Sequence, residues 1–82
     1  MLLPTRGVSP QRALLSVAAQ ILIQLGQPAT VSQTWGRLQE WRAANNHHQP
    51  ITFGWFVLAL DVLYMLGVVW LDGEVLNRKS VS

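Results

Sequence analysis

The chain has 82 residues, of which half are hydrophobic and only 12% are charged. A typical soluble domain carries about 25% charged residues, so this chain is short of polar surface. A single domain of this size has a thin core with little room for a substrate pocket, and there is no cysteine for a thiolate site. The composition therefore disfavours an independent enzyme. It favours either a membrane protein or a protein whose apolar surface is covered by a partner.

The basic residues do not form a recognisable binding patch. Six Lys and Arg against four Asp and Glu give a net charge of +2, and only Arg78 and Lys79 are adjacent. Binding to a phosphate backbone needs several cations on one face, so we expect no direct contact with nucleic acid. The absence of cysteine is compatible with the reducing cytoplasm, which is the expected location.

The first predicted helix covers 10–25. Ser9 is a suitable N-cap, and the proline that follows it loses no helical hydrogen bond at the first position. Hydrophobic residues then recur at helical spacing from Leu14 onwards. We expect Gly26 to end this helix in the left-handed conformation, with Pro28 preventing its continuation.

A second helix is predicted to begin after Thr30. Thr30 and Gln33 have the spacing of a capping box, in which each side chain bonds to the other residue's backbone amide. Trp35 and Leu38 follow on what should be the buried face. A short extended piece is expected around 29–30, between the first two helices.

A polar loop at 45–50 precedes the third predicted helix. It contains His47 and His48, but adjacent side chains point apart and no Cys or carboxylate stands at ligand spacing, so we expect no metal site. Thr52 is a good N-cap for the third helix, which should run to Leu66. No phosphate-binding loop, nucleophilic Cys or triad signature occurs, so we expect neither catalytic residues nor a cofactor.

A β-hairpin is predicted at the C-terminal end. Gly67 is expected at the left-handed position that closes the third helix. The segments 68–71 and 74–76 then flank Asp72 and Gly73, a strong two-residue turn signal. Three helices followed by a hairpin are typical of a winged helix. We therefore predict one α+β, mainly α, winged-helix-like domain over 1–82. We expect an extended N-terminal arm over 1–8 and a flexible C-terminal tail over 79–82.

Two other protein classes are alternatives. The apolar segment 53–71 is long enough to cross a bilayer, which would make a small single-span membrane protein. A carboxylate at its centre, Asp61, and the helix stop at Gly67 both argue against a span. A winged-helix DNA-binding regulator would show polar side chains to the bases, whereas the third helix has Asp61 as its only charge and the hairpin turn has Asp72 and Glu74.

The third helix is apolar on both of its sides. On a helical wheel, the side expected to face the other helices holds Phe56, Ala59, Leu60, Leu63 and Leu66. The opposite side, called the outer face below, holds Gly54, Val57, Asp61, Tyr64 and Met65, with Leu58 at its edge. A helix that is apolar all round is normally buried all round. We therefore predict that the outer face binds another protein or a second copy of the chain.

Further residues complete the predicted site. Tryptophan is enriched at binding hot spots, so Trp41 and Trp70 are added as candidate partner contacts. Asp61 is expected to be a structural carboxylate, paired with Arg12 or bonded by a hydroxyl. An anchor for a basic residue of the partner is the alternative.

Several segments resemble one known family. Leu3-Pro4-Thr5, residues 10–15, residues 30–35 and above all residues 50–73 are similar to middle component 6 of bacterial ABC-three-component systems. The resemblance implies an operon that also encodes an SMC-like or Rad50-like ABC ATPase and an effector, in Lamassu-related defence against phages and plasmids. It implies a non-catalytic accessory subunit that binds the ATPase or bridges it to the effector, while DNA is held by the ATPase. It assigns no functional residues.

Overall fold

Three helices and a three-stranded antiparallel sheet make up the fold. The computed structural model describes residues 9–47 and 49–79. The elements in chain order are α1 (Pro10–Gln24), β1 (Ala29–Thr30), α2 (Val31–Ala44), α3 (Phe53–Met65), β2 (Val69–Asp72) and β3 (Val75–Arg78). The predicted fold class, mainly α with a C-terminal hairpin, is confirmed. The predicted arm lies outside the described residues, as does all of the predicted tail except Lys79.

The sheet joins the segment between α1 and α2 to the C-terminal hairpin. Its strand order is β1-β3-β2, with both pairings antiparallel. The extended piece predicted around 29–30 is therefore a strand, in which Ala29 pairs with Leu76. This pairing carries the hairpin back onto the first two helices, and Leu76 is fully buried as a result.

The predicted helix starts are confirmed by their caps. The Ser9 and Thr52 hydroxyls accept from the backbone amides three residues later, at 3.2 and 3.1 Å. The capping box of α2 is complete. The Gln33 backbone amide donates to Thr30 Oγ1 at 3.1 Å, and the Thr30 backbone amide donates to Gln33 Oε1 at 3.0 Å. Each cap satisfies an amide that the helix itself leaves unbonded.

The two glycine helix stops behave differently. Gly67 has φ 73°, and the amides of Gly67 and Val68 donate to the carbonyls of Tyr64 and Leu63, as predicted. The left-handed conformation predicted for Gly26 is wrong, since Gly67 and Gly73 are the described glycines with positive φ. The end of α1 is instead closed by the Leu25 amide, which donates to the Leu22 carbonyl at 3.1 Å.

Cationic side chains explain why α1 needs no left-handed glycine. Arg78 Nη1 donates to the Leu22 carbonyl at 2.8 Å, and Arg37 Nη1 donates to the Gln24 carbonyl at 3.3 Å. Carbonyls in the last turn of a helix are otherwise left without donors. Because tertiary contacts supply those donors, α1 does not need the backbone hydrogen bonds that a left-handed glycine cap would provide.

The hairpin turn lies one residue later than predicted. Asp72 pairs with Val75, so the two turn residues are Gly73 and Glu74 rather than Asp72 and Gly73. Gly73 has φ 63°, and Glu74 is not among the residues with positive φ, which fits a type II′ turn with glycine first. The physical reason is backbone geometry, because this register places a glycine at the turn position that has positive φ and leaves Asp72 in the strand.

The core is formed where α1 packs on α3 and both meet the sheet. Its buried cluster draws side chains from every element: Val17, Ala18, Ile21, Leu25, Ala29, Leu38, Phe56, Ala59, Leu60, Leu63, Val69 and Leu76. The inward placement predicted for Leu66 is wrong, since it is 64% exposed. Leu66 is the C-cap of α3, and Val69 takes the buried position after the turn.

The described helices do not support a membrane span. The apolar segment 53–71 is interrupted when α3 ends at Met65. In the part of the chain that the structure describes, no helix combines the length and the apolar character that crossing a bilayer requires.

We expect opposite effects from alanine at two glycines. At Gly67 the positive φ strains any L side chain, so Gly67→Ala should lower the free energy of unfolding by about 1–2 kcal/mol. The control is Gly36 within α2, where an added Cβ meets nothing within 4 Å. Gly36→Ala should raise the free energy by about 0.5–1 kcal/mol. Urea unfolding followed by circular dichroism measures both, and a neutral Gly67→Ala would contradict the assigned helix end.

Candidate protein interface

The outer face of α3 is exposed except at Tyr64, which packs partly against the core. Val57 is 36%, Leu58 38% and Met65 84% exposed, Gly54 and Asp61 are exposed, and Tyr64 is partly buried. The opposite side packs into the core through Phe56, Ala59, Leu60 and Leu63. The solvent-exposed outer face of α3 is therefore nearly as apolar as the face that packs into the core. That a partner binds there stays a prediction.

The exposed apolar surface is extended by two residues that were not predicted to belong to it. Phe53, half exposed, lies one turn before Val57, and Leu66 follows Met65 at the other end. The Phe53 ring contacts Trp35 edge-on, with centroids 5.5 Å apart, and lies 5.5 Å from Phe56. A half-exposed ring held between two others is a preorganised contact. In the sequence, the spacing of four residues between Phe53 and Val57 was the signal that Phe53 lies on the same side of the helix.

The two tryptophans predicted as contacts lie in different parts of the fold. Trp70 lies on β2 and is 48% exposed, as is its neighbour Leu71. Neighbouring side chains on a strand point to opposite sides of the sheet, so a single partner surface would not contact Trp70 and Leu71 equally. Trp41 lies in the last turn of α2, partly buried, and stacks on His47 with ring centroids 5.3 Å apart. Of the seven side chains predicted to contact a partner, five therefore lie on α3, Trp70 lies on the hairpin and Trp41 lies on α2. The five on α3 are Val57, Leu58, Asp61, Tyr64 and Met65.

Asp61 is an exposed carboxylate in the middle of the outer face. Within residues 9–47 and 49–79 it has no ion-pair or hydrogen-bond partner, so the pairing expected with Arg12 is not formed. Burial, and secondarily the charge of Asp61, raises the pKa of the Tyr64 hydroxyl one turn later. Tyr64 is therefore a neutral hydrogen-bond donor at pH 7 beside a carboxylate with no described partner.

Acidic residues are concentrated on α3 and the hairpin. Three of the four acidic residues, Asp61, Asp72 and Glu74, lie on α3 and the hairpin. Arg78 of β3 donates its guanidinium to the α1 carbonyl described above. A carboxylate at the centre of the helix that would enter a DNA groove opposes phosphate. The surface suits an apolar protein partner that carries a positive charge.

Comparison with known proteins identifies one family. The family model described as "ABC-three component (ABC-3C) system Middle Component 6" matches residues 3–79. No curated protein and no solved structure matches the chain. Among the described residues, no group of His, Cys, Asp or Glu side chains is placed to hold a metal ion.

Proposed function

We propose that this chain, which belongs to the Middle Component 6 family of ABC-three-component systems, is a non-catalytic accessory subunit in the cytoplasm that docks through the outer face of α3. Its expected partner is the SMC-like ABC ATPase of the same system, and bridging to the effector would use the same complex. The observation that carries the proposal is the exposed apolar surface of α3, because helices of soluble proteins normally turn such a surface inwards.

Burial of apolar surface on the outer face would contribute to the free energy of binding. Covering about 300 Å² of apolar surface contributes on the order of 7 kcal/mol before the cost of association. The half-exposed Phe53 and the flexible Met65 would supply an anchor and an adaptable contact. The structure therefore offers a compact hydrophobic patch with polar groups at its centre rather than a broad charged one.

Asp61 gives the proposed contact its orientation. A carboxylate inside an apolar interface is costly unless it is paired, so the partner is expected to place an Arg or Lys opposite it. Tyr64 adds a hydroxyl donor within the same turn. Charge complementarity of this kind contributes more to specificity and to the association rate than to raw affinity.

The test is binding of the full chain to the coexpressed ABC ATPase encoded beside it. Val57→Glu and Met65→Glu should each weaken the complex at least tenfold, because an unpaired carboxylate would be buried in the interface. The controls are Leu15→Glu and Ile23→Glu, which change equally apolar residues of α1, 56% and 53% exposed, and should leave binding unchanged. Circular dichroism checks that all four variants keep their helices.

Other outcomes would contradict the proposal. If the α1 variants abolish binding and the α3 variants do not, the docking surface is on α1. If the α3 variants instead dissociate a dimer of this chain and leave ATPase binding intact, the outer face is a homodimer interface. Duplex DNA binding that falls steeply with salt would support the DNA-binding regulator.

A further inference from the structure

We propose that a cavity at the C-terminal end of α2 is an oxyanion site, in which the buried Arg42 guanidinium binds a phosphate or carboxylate group. The cavity has a volume of about 250 Å³ and opens to solvent. It is separate from the outer face of α3, and neither the family match nor the proposed function assigns a role to it.

Arg42 is a buried cation with no described counterion. Only 8% of its surface is exposed, yet within residues 9–47 and 49–79 no carboxylate forms an ion pair with it. Its two hydrogen bonds go to neutral acceptors, the Gln20 Oε1 and the Gln49 carbonyl, both at 2.7 Å. Burial lowers the pKa of this guanidinium, and no nearby negative charge opposes that shift.

Such an arrangement is costly unless an anion completes it. A buried charge is normally paired, because removing it from water is not repaid by neutral hydrogen bonds alone. The guanidinium has five N–H donors in a planar fork that fits carboxylate and phosphate oxygens. Nη1 and Nη2 each engage one protein acceptor, and because Arg42 lines the cavity, its other N–H groups are proposed to bind the anion there.

The cavity walls supply further donors and no negative charge. Besides Arg42 the described lining includes Gln39, His47 and Gln49, whose amides and imidazole can donate hydrogen bonds. None of the described residues that line it carries a carboxylate. Stacking on Trp41 holds the His47 ring in place. A charged donor surrounded by neutral donors is the arrangement that recognises an oxyanion.

The primary experiment is an NMR titration of the isotope-labelled full chain at pH 7. Sodium phosphate and sodium acetate are added in separate arms at constant ionic strength, with sodium chloride as the matched salt. We expect saturable shifts of the Arg42 Nε–H and the Gln39 and Gln49 side-chain amides, with half-saturation on the order of millimolar. Identical, non-saturating shifts in all three salts would overturn the proposal.

The two anion arms also distinguish the source of the ligand. Tighter binding of phosphate assigns the site to a phosphate group, and equal or tighter binding of acetate assigns it to a carboxylate side chain of a protein. Either result supports an oxyanion site. Failure of both would leave the proposed docking through α3 untouched, because the two sites share no residue.

A charge placed inside the cavity provides a second test. Ala43 lines the cavity, whereas Ala44, equally exposed at the end of α2, does not. Ala43→Glu should supply the missing anion and weaken phosphate binding at least tenfold, while Ala44→Glu should bind phosphate like the unchanged chain. Both variants carry a similar penalty from the helix dipole, so Ala43→Glu should also unfold at the higher temperature. Equal phosphate binding by the two variants would contradict the site.

A third variant avoids changing the buried cation itself. Removal of the Arg42 guanidinium would break two structural hydrogen bonds, so loss of binding in such a variant would have two explanations. Gln39→Ala removes an exposed donor of the lining instead. It should weaken phosphate binding severalfold while leaving the unfolding temperature unchanged. Unaltered phosphate binding would show that Gln39 does not contribute to the site. If Ala43→Glu also left phosphate binding unchanged, the cavity as a whole would be excluded as the binding site.

Discussion

Phe56→Ala is expected to lower the free energy of unfolding by about 3–5 kcal/mol, the range found for deleting a fully buried aromatic ring. Phe56 is 0% exposed and belongs to the core cluster. Its ring lies 5.1 Å from Trp35 and 5.5 Å from Phe53. A whole domain is stable by only about 5–15 kcal/mol, so the variant should be largely unfolded at moderate urea concentrations.

Phe53→Ala is the matched control for this effect. Phe53 contacts the same Trp35 ring but is half exposed. Its removal should cost about 1 kcal/mol, since much of its surface is in water in both states. Urea titration followed by circular dichroism measures both variants. Equal losses would show that Phe56 is not the ring on which the core depends.

Arg42→Met should destabilise the fold by about 2–3 kcal/mol. The substitution removes the cost of burying the charge, but it leaves the Gln20 Oε1 and the Gln49 carbonyl without their donor. Hydrogen bonds to a charged group contribute about 1.5–3 kcal/mol each, and an unsatisfied buried acceptor is costly. Gln20 itself is buried, so water cannot easily replace the guanidinium.

Arg37→Met is the control for charge and size. Arg37 is exposed, and its guanidinium reaches the Gln24 and Gln27 carbonyls at 3.3 and 3.5 Å. Surface substitutions of this kind change stability by no more than about 0.5 kcal/mol. Thermal and urea unfolding of the two variants side by side tests the difference. A neutral Arg42→Met would mean that the buried guanidinium does not hold α1, α2 and the following loop together.

The helix starts were predictable because each depends on a few neighbouring residues. Ser9, Thr30 and Thr52 satisfy amides only three positions away. The stop at Gly67 is local in the same sense, since its bonds reach back three and five residues along the chain. Local hydrogen-bond chemistry of this kind is visible in the order of residue types.

The errors arose where distant residues decide the outcome. The end of α1 depends on Arg78, whose guanidinium reaches the Leu22 carbonyl across 56 positions of sequence. The burial of Leu76 depends on the pairing of β3 with β1. The helical wheel placed Leu66 inwards because it assumed a continuous helix, whereas Leu66 is the C-cap of α3. The wheel was right for the remainder of the inner side and for the exposure of the outer face except at Tyr64, which packs partly against the core.

The amino-acid sequence was enough to predict the order of the elements, the N-caps of the three helices, the excess of apolar residues on α3 and the family. These follow from periodicity, local hydrogen bonding and residue pattern. Only the folded arrangement of the described residues leaves Asp61 exposed without an ion-pair partner among them and buries Arg42 beside an open cavity. The reason is physical: solvation and pairing of a charge depend on atoms brought together from α1, α2 and the loop that follows, and no single stretch of the chain contains them.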